Sequence, residues 1–230
     1  MIKKILLSAL SITAILSLTA CNKLDVVGEQ SIKSFDAVVN ILGDQVTEDT
    51  EFGGWSITAP DGGARFLWSE DYSKTTANDV QLIVKAQPFI DAGLDVTKLP
   101  EGVLVGEDLI LGTELGKDAL TYSGDATPLS AYEQIVNLYR DNISYHAALD
   151  HYGVMLSNGN MFEWAKDMTT NDKDIVFVLN PDIFINAGVD TSKVEGWLFA
   201  QVETMDDNGK KITVDKFLKP FELDGKSAEK

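Results

Sequence analysis

The side chains best suited to chemistry are two histidines, His146 and His151, with Asp150 between them. They sit in Tyr145-His146-Ala147-Ala148-Leu149-Asp150-His151-Tyr152, and the chain has no other histidine. Imidazole and carboxylate together suit proton transfer or metal ligation. Zinc sites of the H-E-x-x-H kind place two histidines at i and i+4 on one helical face. Here the separation is five. On a helix that sets the rings roughly 140° apart, and on a strand it points them to opposite sides. Only an irregular loop would bring them together. Asp150 would orient His146 across one helical turn, with no nucleophile evident beside them. His146, Asp150 and His151 are therefore weak ligand-site candidates, and packing or surface roles are the simpler expectation.

No other pattern offers chemistry. The acidic stretches Asp44 to Glu51 and Asp167 to Asp174 lack the spacing of a calcium loop with its terminal Glu. Walker A, dinucleotide and G-x-S-x-G fingerprints are absent, so no cofactor is expected. The aromatic series Trp55, Trp68, Tyr152 and Trp164 would line a pocket or a core, and its recurrence along the chain favours core. The formal net charge of -17 and the two arginines, Arg65 and Arg140, make nucleic acid a poor partner.

The elements that must position these residues occur twice. Phe35-Asp36-Ala37-Val38-Val39-Asn40-Ile41-Leu42 returns as Tyr132-Glu133-Gln134-Ile135-Val136-Asn137-Leu138-Tyr139. The offset is 97 (132 minus 35), and it also pairs Trp55 with Tyr152 and Ile57 with Val154. It falls to 96 at Phe66 and Phe162, and to 95 at Phe89 and Phe184. Both losses fall in stretches read as loops, where deletions leave strand register intact. A recurrence of this kind is settled before single motifs are read.

Each copy reads as helix, β-hairpin, strand, short helix, strands. Phe35, Val38, Val39 and Leu42 follow helical spacing, as do Tyr132, Ile135, Val136 and Tyr139. Thr127-Pro128 is a capped start, and Ser31 is the expected cap of the first helix. Alternation around Pro60-Asp61-Gly62-Gly63 and Ser157-Asn158-Gly159 predicts the hairpins. Val80 to Val84 and Ile175 to Leu179 read as interior strands. Gly93 and Gly188 close short helices, and Asp206 to Gly209 is a turn between the last two strands. The expected fold class is α+β, a tandem duplication of a ~90-residue unit with mostly antiparallel sheet.

The first residues set an address. Met1-Ile2-Lys3-Lys4 is basic, and Ile5 through Leu18 is apolar but too short for a comfortable membrane span. The stretch ends in Leu18-Thr19-Ala20-Cys21, which resembles the lipobox of bacterial lipoproteins. That resemblance implies cleavage before Cys21, acylation of its thiol, and a lipid anchor on the outer side of a cell membrane or in an outer membrane. Cys21 is the only cysteine, so no intramolecular disulfide forms. The expected organisation is a signal peptide over 1–20, a lipidated tether over 21–30, a first repeat over 31–115, a linker over 116–127, a second repeat over 128–223 and a polar tail over 224–230. The expected role is non-catalytic binding or scaffolding at the cell envelope, with membrane lipid as one partner and an envelope protein or small ligand as another. Two alternatives stand beside it: a transport-linked solute-binding protein with ligand between the repeats, and an envelope enzyme or metal site at His146 and His151.

Overall fold

A computed structural model describes residues 7–10, 26–50, 52–70, 80–111, 127–147, 149–156, 158–168, 174–205 and 210–220. The cleavage site and Cys21, residues 116–126 of the expected linker, the expected turn at 206–209 and the tail over 224–230 lie outside these residues.

The fold is α+β with mostly antiparallel sheet. Helix α1 spans Val26–Ile41 and is followed by strands β2 (Val46–Asp49), β3 (Gly54–Thr58), β4 (Ala64–Ser69) and β5 (Val80–Lys85). Then come α2 (Gln87–Asp91), β6 (Leu104–Val105) and β7 (Asp108–Ile110). The second half repeats that order as α3 (Pro128–Leu138), β8 (Ile143–His146), β9 (His151–Met155), β10 (Met161–Ala165), β11 (Ile175–Leu179), α4 (Asp182–Asn186), β12 (Leu198–Met205) and β13 (Lys211–Pro220). One sheet runs β2-β3-β4-β5-β7-β6, and the other runs β8-β9-β10-β11-β13-β12, the same order of corresponding strands. A four-residue strand, β1 (Leu7–Leu10), adds in parallel beside β12. Among the described residues no helix is long and apolar enough to cross a membrane.

The hairpins form where alternation places them, with Trp55 opposite Trp68 and Ile57 opposite Phe66, then Tyr152 opposite Trp164 and Val154 opposite Phe162. Three strands are not anticipated by the sequence reading: β1, which falls in the apolar run of the leader, β2 and β8. Val46-Thr47-Glu48-Asp49 is polar and half-exposed, so it has no apolar stripe to betray it. The first helix also differs from expectation. It begins at Val26, and Ser31 lies within it, donating to the Gly28 carbonyl at 2.8 Å instead of capping. Thr127 does cap α3: its hydroxyl accepts from the Ser130 N–H at 3.1 Å while the Ser130 hydroxyl accepts from the Thr127 N–H at 2.8 Å.

One core joins the two sheets, and corresponding residues meet in its middle. Phe35 stacks on Tyr132 at 4.0 Å, Phe66 on Phe162 at 4.5 Å and Phe89 on Phe184 at 4.2 Å. Gly93 faces the backbone of Gly188, and a Cβ on either would stand 3.2 Å or 3.4 Å from the other's carbonyl oxygen. The backbone there is reciprocal: Asp95 N–H donates to Ala187 O and Asp190 N–H to Ala92 O, each at 2.8 Å. Self-matching contacts of this type are what a two-fold axis produces.

The helices are shared across the same boundary. Helix α1 packs on β8 and β10 of the other sheet, while α3 packs on β4. Ser34 donates to Ala165 O at 2.9 Å, and the Trp68 indole donates to Pro128 O at 3.1 Å. Lys219, almost fully buried, pairs with Asp61 of the first half and donates to Gly196 O at 3.2 Å. Trp68, Tyr152 and Trp164 are fully buried among these contacts, which assigns them to the core.

Candidate functional site

Strands β8 and β9 form a hairpin whose short turn holds Asp150 at φ 56°, in the left-handed region. The turn sets His146 directly opposite His151, and Ser144 opposite Gly153. Glu163 on β10 lies opposite Gly153 on the other side. Side chains alternate along each strand, so Tyr145, Tyr152 and Trp164 turn to the core while Ser144, His146, His151 and Glu163 share the outer face. Gly153 leaves the space between them open. A Cβ there would approach the Glu163 Cγ to 3.3 Å.

The result is a buried cluster. His146 Nδ1 lies 3.0 Å from Glu163 Oε1, and His151 Nδ1 lies 3.6 Å from Oε2. The His146 and Glu163 side chains are only 2% and 5% exposed, so this carboxylate has lost nearly all its water. Neither Nδ1 makes a hydrogen bond to the carboxylate in this arrangement, so the contacts are ones of close approach. The other ring nitrogen of His146, Nε2, is 3.0 Å from the Ser144 hydroxyl. Ser144 is half-buried and therefore reachable from solvent.

Burial alone would raise the Glu163 carboxyl pKa, but the two imidazoles outweigh it and hold the group down at about 2. On β13, burial pushes the Lys216 ammonium below its ordinary value against the attraction of Asp182 and Glu163. Lys216 donates to Gly159 O at 3.3 Å. Asp150 takes no part in orienting His146. It is exposed, accepts from the Tyr145 hydroxyl and lies 3.9 Å from Lys166 Nζ. That hydrogen bond pushes the Tyr145 phenol up to about 12.

Two sequence expectations are thus corrected. The five-residue spacing does not separate the histidines, because it spans a turn between two strands instead of running along one element. Asp150 shapes that turn, and Glu163 is the carboxylate that meets the imidazoles. A signal existed for both. Subtracting 97 from 150 gives Gly53, a turn glycine with φ 76°, and subtracting 96 from 163 gives Leu67. Glu163 is thus a charge written into an otherwise apolar strand.

The corresponding outer face of the first sheet carries different chemistry. Thr47, Asp49, Gly54 and Leu67 occupy the places of Ser144, His146, His151 and Glu163. Asp49 lies 3.4 Å from Arg65, which also approaches Asp108 at 3.7 Å, and Lys85 pairs with Asp108 at 2.9 Å. A groove of about 310 Å³ runs over this network, lined by Phe52, Arg65, Leu67, Val105 and Asp108. Its cations are already matched by carboxylates. Among the described residues no three His, Cys, Asp or Glu side chains are arranged to hold a metal ion. No family model matches the chain, and the comparisons with curated proteins and solved structures give no match.

Proposed function

We propose that this is an exported envelope protein, held to a membrane by lipid on Cys21, whose body is a tandem duplication of a ~90-residue α+β unit with a binding or scaffolding role. The observation that carries it is the leader itself: a basic start, a short apolar run, and Leu18-Thr19-Ala20-Cys21 at its end, with the chain's only cysteine at the acylation position. Each buried methylene contributes about 0.8 kcal/mol, so two or more acyl chains hold a protein on a bilayer almost permanently. Cleavage before Cys21 would remove β1, which among the described residues has no counterpart beside the first sheet.

The duplication is supported by the common strand order and by Phe35, Phe66, Phe89 and Gly93 each meeting its own counterpart. Those contacts bear on the solute-binding alternative. The space between the halves, where that reading puts a ligand, is filled by stacked rings.

Replacing the thiol tests the anchor. Cys21→Ser should move the protein from the membrane pellet to the soluble or unprocessed fraction of fractionated cells, while wild type stays in the pellet and is released by detergent but not by salt. Wild type found in the soluble fraction would end the lipid reading.

A second reading, an envelope enzyme, is favoured by one observation: His146 has a hydroxyl at one ring nitrogen and a buried carboxylate at the other. In hydrolytic sites that relation lets a ring take a proton from the hydroxyl.

A further inference from the structure

The geometry points to Ser144 as a nucleophile for carboxylic ester substrates, with His146 as its general base and Glu163 as the residue that positions the base. This rests on the enzyme reading above and is independent of the anchor.

The spacing has the required order. Ser144 Oγ to His146 Nε2 is 3.0 Å, and His146 Nδ1 to Glu163 Oε1 is 3.0 Å. A hydroxyl becomes a competent nucleophile when an adjacent base can take its proton and a third group orients that base. For Nε2 to accept from Ser144, the ring proton must sit on Nδ1, and the anionic Glu163 stabilises that tautomer. The Nδ1–Oε1 pair is close but poorly aligned, and such bonds commonly tighten only when substrate is bound.

The sheet does not need these residues. The first sheet forms the same strands with Thr47, Asp49 and Leu67 in their places. Leu67 in particular fills the Glu163 position without any desolvation cost. A buried carboxylate is expensive unless it is paired, and the first half fills this place with an apolar side chain, so the carboxylate and its imidazoles are a feature of one half only. Access also differs along the relay. His146 and Glu163 are sealed from water, whereas Ser144 is half-buried on β8, the edge strand of its sheet. The formal charge of -17 opposes approach of an anionic ester, so a neutral or cationic acyl ester is the fitting class.

Ser144 Oγ bonds to the carbonyl carbon as its proton passes to His146 Nε2. The ester C–O bond then breaks, and the departing alcohol carries that proton away. Water repeats the sequence on the acyl-serine, releasing the acid and restoring the hydroxyl.

The test uses the full chain in detergent with an alkyl fluorophosphonate and with p-nitrophenyl acetate. One adduct on Ser144, located by peptide mapping, is expected, with fluoride as leaving group. Ser144→Ala should lose the adduct and lower ester turnover by about 100-fold or more, in the range general-base catalysis supplies, with unchanged tryptophan fluorescence showing an intact fold. Glu163→Gln should lower kcat for p-nitrophenyl acetate with KM unchanged, and Glu163→Asp should restore part of the loss, whereas a merely structural role would not separate kcat from KM. Ester turnover that survives Ser144→Ala unchanged would overturn the Ser144 assignment and leave the enzyme reading standing. Absence of both adduct and turnover would overturn both.

Discussion

Phe66→Ala is expected to lower the free energy of unfolding by about 3–5 kcal/mol, and Phe162→Ala by a similar amount. Both rings are fully buried and lie parallel at 4.5 Å, with an interplanar angle of 5°. Each is the neighbour whose support the other loses. The double variant should therefore cost less than the two single losses added, by about 0.5–3 kcal/mol, as for residues in direct contact. Domains of ordinary stability have only about 5–15 kcal/mol to lose, so either single change should leave the protein marginal at body temperature. Urea titration followed by tryptophan fluorescence reads all three numbers. Strict additivity, or a loss under about 1 kcal/mol at either position, would mean that the two halves do not share this core.

Acid should expose the second large effect. The Glu163 carboxyl is held at about 2 in the folded protein against an ordinary value of 4.5, because its two imidazole neighbours outweigh its burial. A folded-state value below the unfolded one means the unfolded chain binds the proton more readily. The stabilisation is thus present above about pH 4.5 and drains away as pH falls toward 2. The shift corresponds to roughly 3 kcal/mol at most. Glu163→Leu copies the residue at the corresponding position of the first sheet, Leu67. It should flatten the stability profile between pH 4.5 and 2 relative to wild type, whatever it does to stability at pH 7. Comparing the two profiles cancels the contributions of Asp61, Asp95 and Asp190, whose carboxyls are also lowered, largely by lysine or threonine partners. Parallel acid limbs in the two proteins would show that Glu163 does not sit between the imidazoles.

Much of the architecture was legible because it is written in apolar periodicity. The hairpins at Trp55–Trp68 and Tyr152–Trp164, the interior strands and the glycine-closed helices ending near Gly93 and Gly188 all leave regular marks. Strands β2 and β8 left none, since an edge strand with a half-exposed face needs few apolar residues. That omission hid the site. Without β8 as a strand, His146 and His151 looked like neighbours on one element instead of partners across a turn. Ser144 and Glu163 could not be joined to them, because their proximity depends on cross-strand register, with Ser144, Gly153 and Glu163 in one row. The internal comparison held the missing hint, for Asp150 stands where the first half has Gly53. Helix sharing was equally invisible. Nothing in the spacing of Phe35 or Tyr132 says which sheet a helix will cover.

The sharing gives the most direct test of the account. With α1 on β8 and β10 and α3 on β4, neither half can close its own core. The two halves, separated by opening the chain between residues 112 and 126 and expressed together, should copurify as a 1:1 complex whose tryptophan fluorescence and cooperative melting match the intact protein. Either half alone should fail to melt cooperatively as a monomer. A half that folds by itself, monomeric and with an intact melting transition, would contradict the central claim that two copies of one unit complete each other.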